Sequence, residues 1–177
     1  VRGDAGSWHW HAGAFQTTNE DDILFQTTGG ATANVGFFDN VADTQRAGIE
    51  LRLDRRSDRV DWYVEYSFID ATFEDDFIVN SPNHPIFAED EDAAEIAGEG
   101  KLFVPSGSMI PGIPRHQANA GIDYAFNSAM RIGADIVYRS GVYLRGDEAN
   151  LLDETDSYAI VNLRGESFEA LRADAGE

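Results

Sequence analysis

A hydrophobic period of two is the feature that most restricts what this chain can fold into. From Met130 to Tyr138 the even positions are Met130, Ile132, Ala134, Ile136 and Tyr138. The odd positions, continued by one residue, are Arg131, Gly133, Asp135, Val137 and Arg139. One set is apolar; the other is polar or glycine apart from Val137. A strand sends successive side chains to opposite faces and keeps two such sets apart, whereas a helix would mix them around its circumference. The preceding stretch repeats the pattern. Ala118, Ala120, Ile122, Tyr124 and Phe126 share a face opposite Gln117, Asn119, Gly121 and Asp123, and Asn127-Ser128 between the two runs reads as a tight hairpin turn.

The same rhythm recurs along the chain. Ala47, Ile49, Leu51 and Leu53 alternate with Gly48, Glu50, Arg52 and Asp54. A charged turn, Arg55 to Arg59, leads into Trp62 to Phe73, where Trp62, Val64, Tyr66 and Phe68 share a face. Trp8 to Thr18, extending toward Phe25, and Tyr158 to Phe168 complete a set of about six strands. Several run to roughly 9–12 residues, longer than the usual soluble strand of about 5–6 and matched to the roughly 9–11 that a tilted strand needs to cross a bilayer. The connections alternate. Two are short turns, whereas Glu74 to Pro114 and Gly141 to Asp156 are long and acidic. Short turns at one end and long loops at the other are the layout of outer-membrane barrels. The expected fold is all-β: an antiparallel transmembrane β-barrel segment with short periplasmic turns and long extracellular loops.

Composition narrows the function. The chain holds 32 Asp and Glu against 13 Lys and Arg, a net charge of -19, which argues against a nucleic-acid partner. It holds no cysteine, hence no disulfide, thiolate metal site or Cys nucleophile. Its 42% hydrophobic content is too high for a disordered acidic polymer. The start, VRGDAGSWHW, has neither the basic nor the apolar stretch of a signal peptide, and no apolar run suits a transmembrane helix.

Five strings, taken together, resemble one family. They are Asn40-Val41-Ala42-Asp43-Thr44-Gln45-Arg46-Ala47-Gly48-Ile49-Glu50-Leu51; Tyr66-Ser67-Phe68-Ile69-Asp70-Ala71-Thr72-Phe73; and Ile113-Pro114-Arg115-His116 leading to Gly121-Ile122-Asp123-Tyr124. The last two are Gly141 to Asn150 and Tyr158-Ala159-Ile160-Val161-Asn162-Leu163-Arg164. In this order they resemble the C-terminal part of the barrel of a TonB-dependent outer-membrane receptor. The resemblance implies a partial barrel over residues 1–168, without the plug and the final strands of the family. Residues 169–177 read as a polar tail outside the family pattern, as in a fragment or truncated product.

What the resemblance implies is transport without covalent chemistry or a cofactor. The partners would be outer-membrane lipid, a small ligand such as an iron-siderophore complex or cobalamin, and the TonB complex acting through the plug region. Glu50, Arg52, Asp123, Arg131, Asp135 and Arg139 would face the lumen, because Arg or Lys facing lipid at mid-bilayer costs about 2–4 kcal/mol. Tyr124, Tyr138, Trp62 and Trp8 are candidates for the interfacial girdles. In the loops, His84, within Asn83-His84-Pro85, is the leading candidate for an exposed polar contact to ligand, followed by Arg145 and Asp147.

Other readings are weaker on the residues. His9 and His11 share a strand face, but no third metal ligand follows nearby. Asp75-Asp76 and Glu89 to Asp92 lack the spacing of a calcium loop. Ser106 and Ser108 with His116 and Asp123 suggest a hydrolase triad, but no G-x-S-x-G elbow supports it. Two other architectures compete with the receptor segment. One is a self-contained eight-stranded outer-membrane barrel with a structural or adhesion role. The other is a soluble acidic β-sandwich that binds ligand. Closure of the first strand on the last would favour the small barrel, and apolar faces packed on a second sheet would favour the sandwich.

Overall fold

The computed structural model describes residues 1–27, 36–89, 97, 98 and 100–167. The segment 169–177, read as a polar tail, lies outside these residues, as do Phe168 and the acidic positions Asp90, Glu91, Asp92, Glu95 and Glu99. Nine strands and one short helix are described: β1 (Arg2–Ala5), β2 (Trp8–Thr27), β3 (Gly36–Arg55), β4 (Val60–Phe73), β5 (Phe77–Asn80), α1 (Ile86–Glu89), β6 (Lys101–Val104), β7 (His116–Asn127), β8 (Met130–Arg139) and β9 (Tyr158–Ser167). Seven of the strands form one antiparallel sheet in the order β1-β2-β3-β4-β7-β8-β9, and β5-β6 is a separate hairpin. The six long strands are those expected, but β3 starts at Gly36, well before the Ala47 from which its alternation was read.

The pairing register carries the alternation across the sheet. Trp10 lies opposite Leu53, then Val64, Ala120, Ile136 and Val161 in successive strands. One residue further along, the row is His11, Arg52, Glu65, Asn119, Val137 and Ile160. One face is therefore apolar from β2 to β9 and the other mostly polar. A slip of one residue would exchange the two faces, so the pattern fixes the register. Leu51, Leu53, Ile122, Ile136 and Leu163 on the apolar face are all exposed.

The buried core lies elsewhere. It consists of Ala42, Phe73, Phe77, Val79, Leu102, Val104 and Ala149, with Leu24, Ile86, Phe87 and Ile110 packed against it. These residues join the loop-end part of the sheet to the β5-β6 hairpin and to the loop after β8. Phe73 belongs to the odd set of β4, with Tyr63, Glu65 and Ser67, so the hairpin folds over the polar side. Phe73 meets Phe77 edge to face at 4.9 Å. The apolar side is not the side on which the second sheet packs, contrary to the sandwich. Among the described residues β1 and β9 are the two edges of an open sheet, and no pairing closes it as a small barrel.

The turns follow local chemistry. Ser57 closes the β3-β4 turn, its Oγ donating to the Val60 carbonyl at 2.7 Å and accepting the Val60 amide at 3.1 Å. The Asn127 side chain accepts the Ala129 amide at 2.8 Å in the β7-β8 turn. Between β1 and β2 the chain turns at Gly6, with φ of 65°. The two long connections described, β4 to β7 and β8 to β9, leave the opposite end of the sheet. The first was expected as a long loop; it carries β5, α1 and β6 and makes most of the core.

Candidate functional site

Glu50, Arg52, Asp123, Arg131, Asp135 and Arg139 all fall on the polar face. The register places Arg52 opposite Glu65, Asp123 opposite Gly133, and Asp135 opposite Gly121 and Asn162. Several of their charges are paired there. Arg164 chelates Asp123, with Nε to Oδ1 at 3.0 Å and Nη2 to Oδ2 at 2.6 Å, and donates to Asp135 at 2.6 Å through Nη1. Asn162 donates to Asp135 at 2.8 Å. Arg52 pairs with Glu65 and donates to Asp54 at 3.0 Å, and His9 completes that group at 3.1 Å from Asp54. Arg139 donates to Asn119 at 3.0 Å. A guanidinium fork matched to a carboxylate fixes orientation as well as charge, so these groups tie neighbouring strands together.

Glycines on this face sit beneath large side chains of the next strand. Phe15 lies over Gly48, Tyr63 over Gly121 and Arg164 over Gly133. The absent Cβ makes room for each ring or guanidinium.

On the apolar face the aromatic candidates divide between the two ends. Trp8 and Trp62 meet edge to face at 5.4 Å near the short turns, with Arg55 5.5 Å above the Trp8 ring. Tyr124 lies near the same end. Tyr138 is at the loop end, in the row of Ala118 and Tyr66. There the Tyr66 hydroxyl bonds His116 Nδ1 at 2.8 Å, and Arg115 pairs with Asp70 at 2.8 Å while covering Phe68.

Beyond the apolar rows, β2 and β3 continue as a ladder taller than β4, whose last pair is Thr44 with Phe73. A bulge interrupts the ladder between Asn19 and Ile23, and Asp21 takes φ of 51°. The extra residue turns Asp22, an even position, to the polar side, where Thr44 and Arg46 point. Thr44 Oγ1 donates to Asp22 at 2.7 Å, Arg46 Nη2 donates at 3.3 Å, and the Ile23 amide donates at 2.9 Å. Burial opposes ionisation of Asp22, but hydrogen bonds from Thr44, the Ile23 amide, Arg46 and Asn19 outweigh it and hold the carboxyl below its ordinary 3.8.

Between this ladder and the two loops is a cleft of about 900 Å³. Its lining includes Ile23, Phe25, Phe38 and Leu152 with the cations Arg46 and Arg145 and the carboxylates Asp22, Asp147 and Glu148. Apolar walls with a few convergent charged groups are the usual make-up of a ligand site. Arg145 is exposed at the cleft. His84 and Asp147 line it as well, but they correct the expectation of exposed contacts: His84 is 6% exposed and Asp147 2%. The Ile86 amide donates to His84 Nδ1 at 3.2 Å, which leaves Nε2 to give its hydrogen to Asp147 Oδ1 at 3.1 Å. Asp147 also accepts the amides of Leu151 at 2.8 Å and Leu152 at 3.0 Å. Asn83-His84-Pro85 lies on a turn, with the His84 amide bonded to the Ser81 carbonyl, but it is packed against the other loop.

The remaining sequence candidates are engaged separately. Ser106 caps a turn through the Asp76 carboxylate and the Glu74 carbonyl. His116 and Asp123 point to opposite faces of β7, and Asp123 is held by Arg164. His9 and His11 share the polar face as expected, with His9 bound to Asp54. Sequence reasoning missed Asp22, Thr44, Ser81 and Asn150. The one available signal was the acidic run Asn19-Glu20-Asp21-Asp22, which breaks the alternation.

A family model described as TonB dependent receptor-like, beta-barrel, matches residues 1–176. No curated protein matches this chain. Among solved structures, BauA, the ferric preacinetobactin receptor from Acinetobacter baumannii, aligns with a TM-score of 0.57 at 12% identity, over 93% of this chain and 21% of that one. The FrpB iron transporter from Neisseria meningitidis (F3-3 variant) aligns with a TM-score of 0.58 at 15% identity, over 94% of this chain and 23% of that one. At these identities the likeness shows the fold. This chain spans about a fifth of the length of either structure.

Proposed function

This chain belongs to the TonB-dependent receptor β-barrel family, and on that premise we propose that it forms wall and outer rim of a receptor in the outer membrane of a Gram-negative bacterium. The observation that carries this reading is the division of the sheet. One face is apolar and exposed across six long strands, while the charge pairs and the loop hairpin lie on the other. Exposed apolar surface of this extent needs an apolar medium or partner. The 10 residues of β8 extend about 33 Å at about 3.3 Å each. Tilted at about 40°, they span about 25 Å, the height of the apolar band of a membrane barrel.

In this arrangement lipid meets the apolar face, and Glu50, Arg52, Asp123, Arg131, Asp135 and Arg139 line the interior. The cleft, with Arg145 exposed and Arg46 paired to Asp22 beside apolar side chains, belongs to the wall that meets the incoming solute. The TonB complex acts through the plug region of the receptor. Both solved structures bear iron in their names, which favours a ferric chelate over cobalamin as the solute.

The test is uptake by iron-starved Gram-negative cells that depend on the full-length receptor. Radiolabelled ferric chelates and cobalamin are supplied with and without TonB. The expected result is TonB-dependent uptake of a ferric chelate, with the receptor in the outer-membrane fraction. Recovery in the soluble fraction, or uptake of every solute unchanged by deleting the receptor, would overturn the proposal.

A further inference from the structure

The two loops at the cleft are joined by more than contact. Ser81 Oγ donates to the Gly146 carbonyl at 2.6 Å. The Gly112 amide donates to the Tyr143 carbonyl at 2.9 Å. Asn150, held at φ of 56°, accepts the Met109 amide at 2.6 Å and donates to the Met109 carbonyl at 3.0 Å. At the centre is the buried pair of His84 and Asp147, with side chains 2% and 3% exposed. Ala149, from the second loop, is part of the same apolar core as Val79 and Leu102 from the first.

We propose that these loops form a single cap locked by His84 and Asp147, so that Phe77–Asn80, His84 and Lys101–Val104 cannot swing away from the cleft unless residues 143–152 move with them. His84 and Asp147 are then positioning residues. They set where Arg145 stands at the cleft. The physical basis is the occupancy of both side chains. Asp147 is a buried carboxylate that needs its donors, and three reach it: two amides of its own loop and His84 of the other. His84 has both ring nitrogens engaged, one within its own loop and one across. Separating the loops takes from His84 Nε2 its acceptor and from Asp147 one of its three donors, and losing a hydrogen bond between buried groups is costly. The lock follows from the loop geometry and is independent of which solute the receptor takes.

Amide hydrogen exchange of the full-length receptor in detergent micelles tests it, because each substitution is read in the opposite loop. His84→Ala is expected to raise exchange at Leu151 and Leu152 about tenfold or more. Asp147→Ala is expected to do the same at Phe77–Asn80 and Lys101–Val104. The double substitution should add little to either single one. His84→Gln supplies an amide donor to Asp147 and should restore most of the protection; in Asp147→Asn an NH2 replaces one of the two oxygens that accept from His84, Leu151 and Leu152, so at least one buried donor faces another and protection should not be restored. Loosening confined to the loop that carries the substitution would overturn the lock. If His84→Ala does not assemble, the glutamine and asparagine variants decide: equal protection in both would equally overturn it.

Discussion

Gly121 shows how single atoms set the sheet. Tyr63 lies directly opposite it, and a Cβ built on Gly121 collides with the Tyr63 ring. The ring covers backbone that would otherwise be bare, and it does so only because that Cβ is missing. Gly121→Val is therefore expected to destabilise the sheet by about 1–3 kcal/mol through overpacking. Urea unfolding of the receptor in lipid vesicles measures this. The same substitution in a Tyr63→Ala background should cost clearly less, because the obstructing ring is gone. An equal cost in both backgrounds would place the strain in the backbone. Residues of this kind are not legible in sequence: Gly121 read only as a small member of a polar set, and its partner is 58 positions away in the chain. His84 is similar. Asn83-His84-Pro85 read as an exposed loop segment, but exposure depends on what a distant segment does, and that segment covers it.

At the scale of elements, the faces of β4, β7, β8, β9 and of β3 from Ala47 onward were legible because alternation needs only neighbours in sequence. β1, β5 and β6, each four residues long, offer too few positions for a period to show. The upper half of β2 was obscured for a different reason: the bulge at Asp21 and Asp22 reverses the parity of the strand. That bulge makes a pH prediction. The folded-state pKa of Asp22 is lowered, so its hydrogen bonds stabilise the β2-β3 ladder above 3.8, the ordinary value, and this contribution is lost as pH falls through the folded value. Amide exchange at Ile23 and Leu24, corrected for the intrinsic effect of pH, should stay level from neutral pH down to about 4 and accelerate below it. Asp22→Asn should remove that acid-dependent step. If the step survives in the variant, another carboxylate is responsible.

For the whole molecule the question is what the apolar face meets. Sequence alternation established that such a face exists; the register shows it to be continuous, from Trp10 through Leu53, Val64, Ala120 and Ile136 to Val161. Ile136 and its neighbour Val137 therefore make a matched pair, adjacent in one strand but directed to opposite sides. If lipid covers the apolar face, Ile136→Arg places a charge near mid-bilayer at a cost of about 2–4 kcal/mol, while Val137→Arg enters a face already populated by Arg139 and Asp135 and costs little. Unfolding of the two variants in phospholipid vesicles should differ by most of that amount. The difference should shrink in thin or loosely packed bilayers, where the charge reaches headgroups or water more easily. A sheet whose apolar face packed on protein would also reject arginine at Ile136, but the cost would not change with the bilayer. Dependence on lipid thickness is thus what separates a membrane wall from a covered core.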